Sequence, residues 1–415
     1  MKAPTGTRDV LPPDSARWEA LIARFAGEVE AAGYGLVQSP MFEDLEVFSR
    51  VGEGTDIVSK EMYDFEDKGG RRLALRPEGT APVARAFVQH RPVPPWKVWY
   101  AAPSFRHEKP QAGRYRQHHQ LGIEAIGTDD ADLDVEVIAL AWDVYRALGL
   151  QRVDLLVNSM GDPEGRRAFL DGLQAHLREH QYDLAPEDRA KVEDHPLRVL
   201  DSKRRATVEV TRDAPRLVDH LSDEAAAHFE RVQEGLRSLK IPFTIEPRLV
   251  RGLDYYTRTT FEFQASALDA AQNAIGGGGR YDGLIEALGG PPTPGIGFAL
   301  GIERILLACD AEEVFAVPDT AVLAFVVDVA GGEHARDLTA ELRRAGLSAD
   351  RSFGGRSMKA QMKAADRSGA KYALIVGDDE VASGSVSMRD LGGDGSQTSV
   401  DRSDVVRWLQ KEEQG

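Results

Sequence analysis

From Arg114 to Gly127, polar and apolar side chains alternate: Arg114, Arg116, His118, Gln120 and Glu124 share one parity, and Leu121, Ile123 and Ala125 share the other. A period of two predicts a strand with one face on a core and the other turned to something polar. Phe105-Arg106-His107-Glu108 reads as its partner across a turn at Lys109 to Gly113, with Arg106 and Glu108 on one face. Gathering arginines, two carboxylates, an amide and an imidazole on one sheet face is costly unless a charged ligand meets them. The hairpin therefore predicts a surface for a nucleotide and a second polar substrate.

The same patterning divides the chain. A helix is expected after Pro12-Pro13-Asp14-Ser15, where prolines meet N-cap residues, with Leu21, Phe25 and Val29 recurring every four residues and an end near Ala32-Gly33. Extended segments follow at Gly35 to Pro40, Leu73 to Leu75 and Lys97 to Ala101, and Leu133 to Leu148 is apolar at helical spacing. Residues 161–240 turn helical, with patterns at Arg166 to Glu179 and Glu224 to Leu239, and read as an insertion between two parts of one sheet domain, 1–160 and 241–317. In the second part, strands are expected at Phe243 to Val250 and Thr259 to Gln264, and helices at Tyr281 to Leu288 and Gly301 to Ala308. Beyond Pro318 the alternation of Val322–Val327, Glu333–Ala345 and Tyr372–Gly377 predicts a separate α/β domain over 318–415 with a partly parallel sheet. The class is α+β: a mostly antiparallel sheet flanked by helices, a helical insertion and a C-terminal α/β domain.

Composition narrows the function. With 42% apolar and 28% charged residues in 415, the chain can bury a substantial core. No apolar run is long enough for a membrane span and Met1 to Asp9 does not read as a leader, so a cytoplasmic protein without membrane contact is expected. The single Cys309, within an apolar run, excludes an internal disulfide and a multi-cysteine metal site. A net charge of -16 argues against a broadly basic surface, though local Lys and Arg clusters can still hold nucleic acid. The run Gly276 to Gly279 lacks the Gly-Lys-Ser/Thr ending of a phosphate loop and reads better as close backbone approach.

Four blocks in order, Leu75-Arg76-Pro77-Glu78-Gly79-Thr80, Phe105 to Glu108 with its return strand, Leu249 to Thr257 and Gly297 to Arg304, carry a resemblance. The whole chain resembles the class II aminoacyl-tRNA synthetases, and within them the histidyl-tRNA synthetases. The resemblance implies the class II catalytic sheet, a C-terminal anticodon-binding domain, and a ligase. That enzyme activates L-histidine with ATP and passes the histidyl group to the 3' end of its tRNA. It also implies roles. Arg106 would contact the α-phosphate, Glu108 the adenine amino group, and Arg114 and Arg304 the γ-phosphate. His118 stands where many members carry Phe and would stack on adenine. Glu78, Gly79, Thr80 and Gln120 match the ammonium site, Glu124 and Tyr256 the pair engaging the imidazole, and Tyr255 and Tyr281 the pocket walls. Arg251 matches the cation between the substrate carboxylate and the α-phosphate, which with Arg106 and Arg304 makes the catalytic set. Permanently charged, bidentate guanidiniums suit a step in which a carboxylate attacks phosphorus and pyrophosphate must be neutralised.

Mg²⁺ is expected to arrive with ATP on phosphate oxygens; no protein metal cage is read from the sequence. Lys109, where the family more often has Arg, would approach the tRNA acceptor end with Gln111 and Arg116. Lys359, Lys363, Arg367 and Lys371 recur every four residues. Such a stripe reads either as a solvated helix face or, by resemblance, as a tRNA surface. A homodimer is implied, joined through the Asp14 to Gly33 helix and the segment to Pro40. The rivals are a regulatory paralogue that activates ATP phosphoribosyltransferase, and a class II synthetase for another amino acid.

Overall fold

The structure, a computed structural model, describes residues 1–52, 57–200, 202–250, 255–269 and 273–414. It divides into two compact units, Met1–Val317 and Pro318–Gly415. No helix among the described residues is long and apolar enough to cross a membrane.

The first helix runs Asp14–Ala31 and buries Trp18, Leu21, Phe25 and Val29, the stripe its four-residue spacing draws. Burying each such side chain contributes roughly 1.5–3 kcal/mol. Among the described residues the first unit holds an eight-stranded sheet in the order Gly35–Leu36, Trp96–Phe105, Gln117–Ile126, Gly295–Gly301, Ala274–Arg280, Thr257–Ala265, Val153–Ser159 and Thr244–Ile245. The outermost pair at each edge is parallel and the inner pairs are antiparallel. A three-stranded sheet, Phe42–Asp44, Arg72–Leu75 and Tyr63–Glu66, lies apart from it in pairing.

One face of the large sheet carries the main core. Leu121, Ile123 and Ala125 pack there with Phe261, Phe263 and Phe298 under the helices Asp14–Ala31, Ala131–Ala147, Asp223–Ser238 and Ile302–Ala311. Cys309 is fully buried in this core, and burial pushes its thiol up to about 11. On the opposite face the helix Thr80–His90 covers only one end, closing over Val98, Tyr100, Ile126 and Tyr281. The rest of that face stays open, and it is the polar face.

Several expectations are corrected. The hairpin pairs from Trp96 opposite Ile126 to Phe105 opposite Gln117, so residues 106–116 form a longer connection than a turn at 109–113. At the end of the paired stretch the Arg116 carbonyl still accepts from the Arg106 amide at 2.8 Å, while its own amide donates to the Gly6 carbonyl of the N-terminal arm at 2.7 Å and its side chain packs on Gly6, outside the cavity lining. Phe243 to Val250 yields only the two-residue strand Thr244–Ile245, because Pro242 and Pro247 bracket it and cannot donate to a ladder. Val153–Ser159, not anticipated, pairs on both sides. The helix expected from Tyr281 shortens to Leu284–Ala287, since the Tyr281 side chain is committed inward.

The glycine run is a strand, not a loop. A Cβ on Gly278 would collide with the carbonyl oxygen of Gly297 on the neighbouring strand, so close backbone approach is its reason. Within the helical stretch, Met160, Phe169, Leu173, Leu177, Val199 and Leu217 make a small core of their own, while Asp223–Ser238 packs into the main core. The two helical patterns thus belong to different cores.

The second unit has a sheet in the order Ala349–Arg351, Ala324–Asp328, Tyr372–Val376, Ser385–Asp390 and Gln397–Asp401, parallel across the first three and antiparallel after. Helix Met358–Ser368 carries Lys359, Lys363 and Arg367 but stops at Gly369, whose φ of +70° ends it. Lys371 lies beyond that helix, and its ammonium donates to the Glu412 carbonyl at 3.2 Å.

Candidate active site

The open half of the sheet floors a cavity of about 830 Å³. Even-numbered residues of Gln117–Ile126 face it, so His118 and Gln120 line the space while Glu124 sits beneath, fully buried. Arg106 and Glu108 follow the end of Trp96–Phe105, Arg114 comes from the hairpin connection, and Arg304 rises from the first turn of Ile302–Ala311.

At this end three guanidiniums gather beside Glu108, with Glu262 close enough to act on Arg304. Glu108 lies 3.3 Å from Arg114 and 4.0 Å from Arg106. Arg106 also donates to the Pro77 carbonyl at 2.9 Å, and Arg304 donates to the carbonyls of Gly113 at 3.2 Å and Ala274 at 2.7 Å. Those carbonyls fix the directions of the cations without neutralising them. Burial, and then the nearby Arg114 charge, lowers the Arg304 pKa. Burial, reinforced by Arg106, pulls the His118 imidazole down to about 3, so it is a neutral flat ring near neutrality.

The other end is lined by hydroxyls and carboxyls. Glu124 accepts from Thr80 Oγ1 at 2.7 Å and from Tyr281 OH at 2.6 Å, with Tyr100 OH at 3.5 Å. Burial pushes its carboxyl up to about 8, against the pull of those hydroxyls. Glu78 accepts from the amides of Thr80 at 2.5 Å and Ala81 at 2.9 Å at the start of helix Thr80–His90; burial nonetheless raises its pKa. Gln120 accepts from Ser104 Oγ at 2.9 Å through Oε1, which turns its NH₂ group to other partners. Gly79 lets the Tyr100 ring lie against the backbone, where a Cβ would strike it. Tyr255 and Tyr256 pack with ring centroids 4.9 Å apart and planes tilted by 45°, and Tyr255 meets Tyr281 edge-on at 6.1 Å. Arg251, with Gly252 to Asp254, lies outside the described residues; Val250 and Tyr255 on either side line the cavity.

Lys109 and Gln111 are exposed on the hairpin connection, and Arg116 packs on Gly6 while donating to the Glu108 carbonyl at 3.3 Å, away from the cavity lining. Lys359 and Lys363 are exposed in the second unit. Cavity residues that the sequence reading did not single out are Tyr100 below the floor, and Glu262, Gln264 and Asn273 on its wall. Their signal was present: Thr260, Glu262 and Gln264 alternate with Phe261 and Phe263, and Tyr100 has the parity of Arg106.

Comparison with known proteins gives a consistent picture. A family model described as histidyl-tRNA synthetase matches residues 6–305, and one described as anticodon binding domain matches 321–412. The chain is 47% identical to a histidine–tRNA ligase of Geobacillus thermodenitrificans, covering 98% of this chain and 97% of that protein. A Streptomyces coelicolor histidine–tRNA ligase is 48% identical over 99% and 97%. Among solved structures, apo histidyl-tRNA synthetase of S. aureus superposes with a TM-score of 0.84 at 35% identity, covering 99% of this chain and 100% of that one. A Bacillus halodurans structure described as an ATP phosphoribosyltransferase regulatory subunit/histidyl-tRNA synthetase shares the fold at 23% identity, with a TM-score of 0.61 over 85% of this chain.

Proposed function

We propose, from the premise that this chain belongs to the histidyl-tRNA synthetase family and is an ATP-dependent histidine–tRNA ligase, a division of labour within this cavity. The reaction joins the carboxylate of histidine to the α-phosphorus of ATP, releases pyrophosphate, and then transfers the histidyl group to the tRNA 3' end with release of AMP.

At the guanidinium end, Arg106 binds the α-phosphate, Arg114 and Arg304 the γ-phosphate, and Glu108 the adenine amino group, exchanging its arginine partners for that contact. His118, flat and uncharged, stacks on adenine. Neutralising charge as it builds on pyrophosphate is where the rate is gained, and donors already aimed by backbone carbonyls need little reorganisation. At the hydroxyl end, Glu78, Thr80 and Gln120 take the ammonium, with Gly79 leaving room. Glu124 and Tyr256 take the two ring nitrogens between the walls of Tyr255 and Tyr281. An amino acid without ring nitrogens leaves these buried groups unpaired, which rejects it strongly. Arg251 bridges the substrate carboxylate and the α-phosphate, and Mg²⁺ enters on the triphosphate.

Lys109, Gln111 and Arg116 approach the acceptor end, and Lys359 and Lys363 meet the tRNA through the second unit. The active form is a homodimer in the cytoplasm. Support for dimerisation comes from the exposed apolar Leu36 in the edge strand, Phe42 and Phe65 in the small sheet, and Met41 just before it; a monomer at micromolar concentration in sedimentation contradicts it.

The observation that carries the reading is one cavity with three guanidiniums at one end and the buried Glu124 beneath its floor at the other. ATP-pyrophosphate exchange tested with each amino acid checks it: exchange should depend on histidine, and exchange driven by another amino acid, or by none, removes it. The regulatory alternative is disfavoured by the intact Glu78, Arg106, Tyr256 and Arg304 and by the full second unit.

A further inference from the structure

Beside the cavity, a chain of ionisable side chains crosses the interior. Arg280, fully buried, grips Asp134 through Nη2 at 2.7 Å from Oδ1 and Nε at 3.0 Å from Oδ2. Its other N–H groups go to the carbonyls of Thr128 at 3.1 Å and Asp130 at 2.9 Å, with Asp282 Oδ1 3.5 Å from Nη1. Asp134 Oδ2 also meets His228 Nε2 at 2.8 Å. Across that ring, His228 Nδ1 lies 3.5 Å from Arg258 Nη1, and Arg258 Nη2 reaches Glu224 at 2.5 Å. An arrangement in which Nε2–H donates to Asp134 and Nδ1 accepts from the Arg258 guanidinium satisfies both contacts. Carboxylate and guanidinium thus alternate with one imidazole between them.

The ends of this chain are informative. Arg280 immediately precedes Tyr281, whose hydroxyl holds Glu124. Arg258 stands two residues after Tyr256, and the intervening Thr257 accepts from the Asp282 amide at 3.2 Å. His228 and Glu224 belong to Asp223–Ser238, the helix that rejoins the main core after the small helical core. Arg258 also holds a φ of +44°, a left-handed conformation costly for a non-glycine residue, and its backbone is pinned by Gly161 at 2.9 Å and Met160 at 2.5 Å. Such a conformation persists only where its surroundings over-determine it.

We propose that Asp134, His228, Arg258 and Arg280 are positioning residues for amino-acid selection: they fix the Tyr256 and Tyr281 segments relative to each other, and so the fit of the imidazole on Glu124. This rests on the reading of those tyrosines as parts of the histidine pocket. Because His228 and Glu224 lie on Asp223–Ser238, the network also ties the placement of that helix to the pocket floor.

The test measures KM for histidine and for ATP in pyrophosphate exchange, with melting temperature alongside. His228→Ala should raise KM for histidine about tenfold and leave KM for ATP within about twofold. His228→Gln, which keeps an N–H for Asp134 and an oxygen for Arg258, should restore most of the loss. In a cycle with Tyr281→Phe the two effects on KM should be non-additive. A His228→Ala enzyme with a lower melting temperature and unchanged KM for histidine overturns the proposal, as do equal rises in both KM values or additivity in the cycle. If His228→Ala does not fold, Arg258→Lys, which keeps charge but not the planar fork, is judged by the same criteria. Loss of histidine dependence in the unmodified enzyme would instead overturn the pocket reading itself.

Discussion

The two ends of the cavity solve opposite problems. At the guanidinium end Arg106, Arg114 and Arg304 gather beside Glu108 and Glu262, and Arg114 keeps 42% of its side chain exposed, so cations remain open to an incoming anion. At the hydroxyl end Glu124 is fully buried among hydroxyls and Glu78 leans on helix amides, so hydrogen-bonding capacity is held dry. The first arrangement gains most when charge develops, and so should govern rate. The second discriminates between ground-state ligands, and so should govern selection.

The sharpest way to break that contrast is to remove one cation. Arg106→Ala should cut kcat/KM for exchange by about a thousandfold, roughly 4 kcal/mol, mostly in kcat, and Arg251→Ala should likewise lose adenylate formation far more than histidine binding. Equal losses in kcat and in histidine affinity would dissolve the distinction. Next, Glu124→Gln should raise KM for histidine by about ten- to a hundredfold, the cost of one mismatched buried hydrogen bond, with KM for ATP nearly unchanged.

The same residue should mark itself in stability against pH. Its folded value of about 8 lies above the ordinary 4.5, so the folded state keeps a proton that the unfolded chain gives up. The contribution is full below about pH 4.5, declines as pH rises, and is gone above about 8. Melting temperatures from pH 5 to 9 should therefore fall more for the natural chain than for Glu124→Gln; parallel curves would mean that the carboxyl is not held neutral. The smallest effect belongs to the second unit: Lys359→Ala and Lys363→Ala should each lower the salt slope of tRNA binding by about 1 and leave exchange untouched.

Much of this contrast was legible in the chain because a strand's alternation is absolute. His118, Gln120 and Glu124 fall on the cavity face, and Leu121, Ile123 and Ala125 fall in the core. Helix Asp14–Ala31 was equally plain, since proline punctuation and a four-residue stripe agree. Failures arose where distant chain decides local structure. Arg116 gives its amide to Gly6, over a hundred residues earlier, and its side chain packs there instead of lining the cavity. Glu262 and Gln264 alternate as clearly as His118 and Gln120 do, yet only the sheet order, which brings Thr257–Ala265 beside Ala274–Arg280, puts them at the cavity. Arg280, Asp134 and His228 gave no local signal, because pairing between residues more than ninety positions apart is written in the fold alone.

A crystal structure with histidine and a non-hydrolysable ATP analogue tests the central claim most directly. The account predicts the imidazole within about 3.2 Å of both the Glu124 carboxyl and Tyr256, with the triphosphate on Arg106 and Arg304 in the same cavity. A ring bound elsewhere, or a triphosphate that leaves those guanidiniums on their backbone carbonyls, would contradict it.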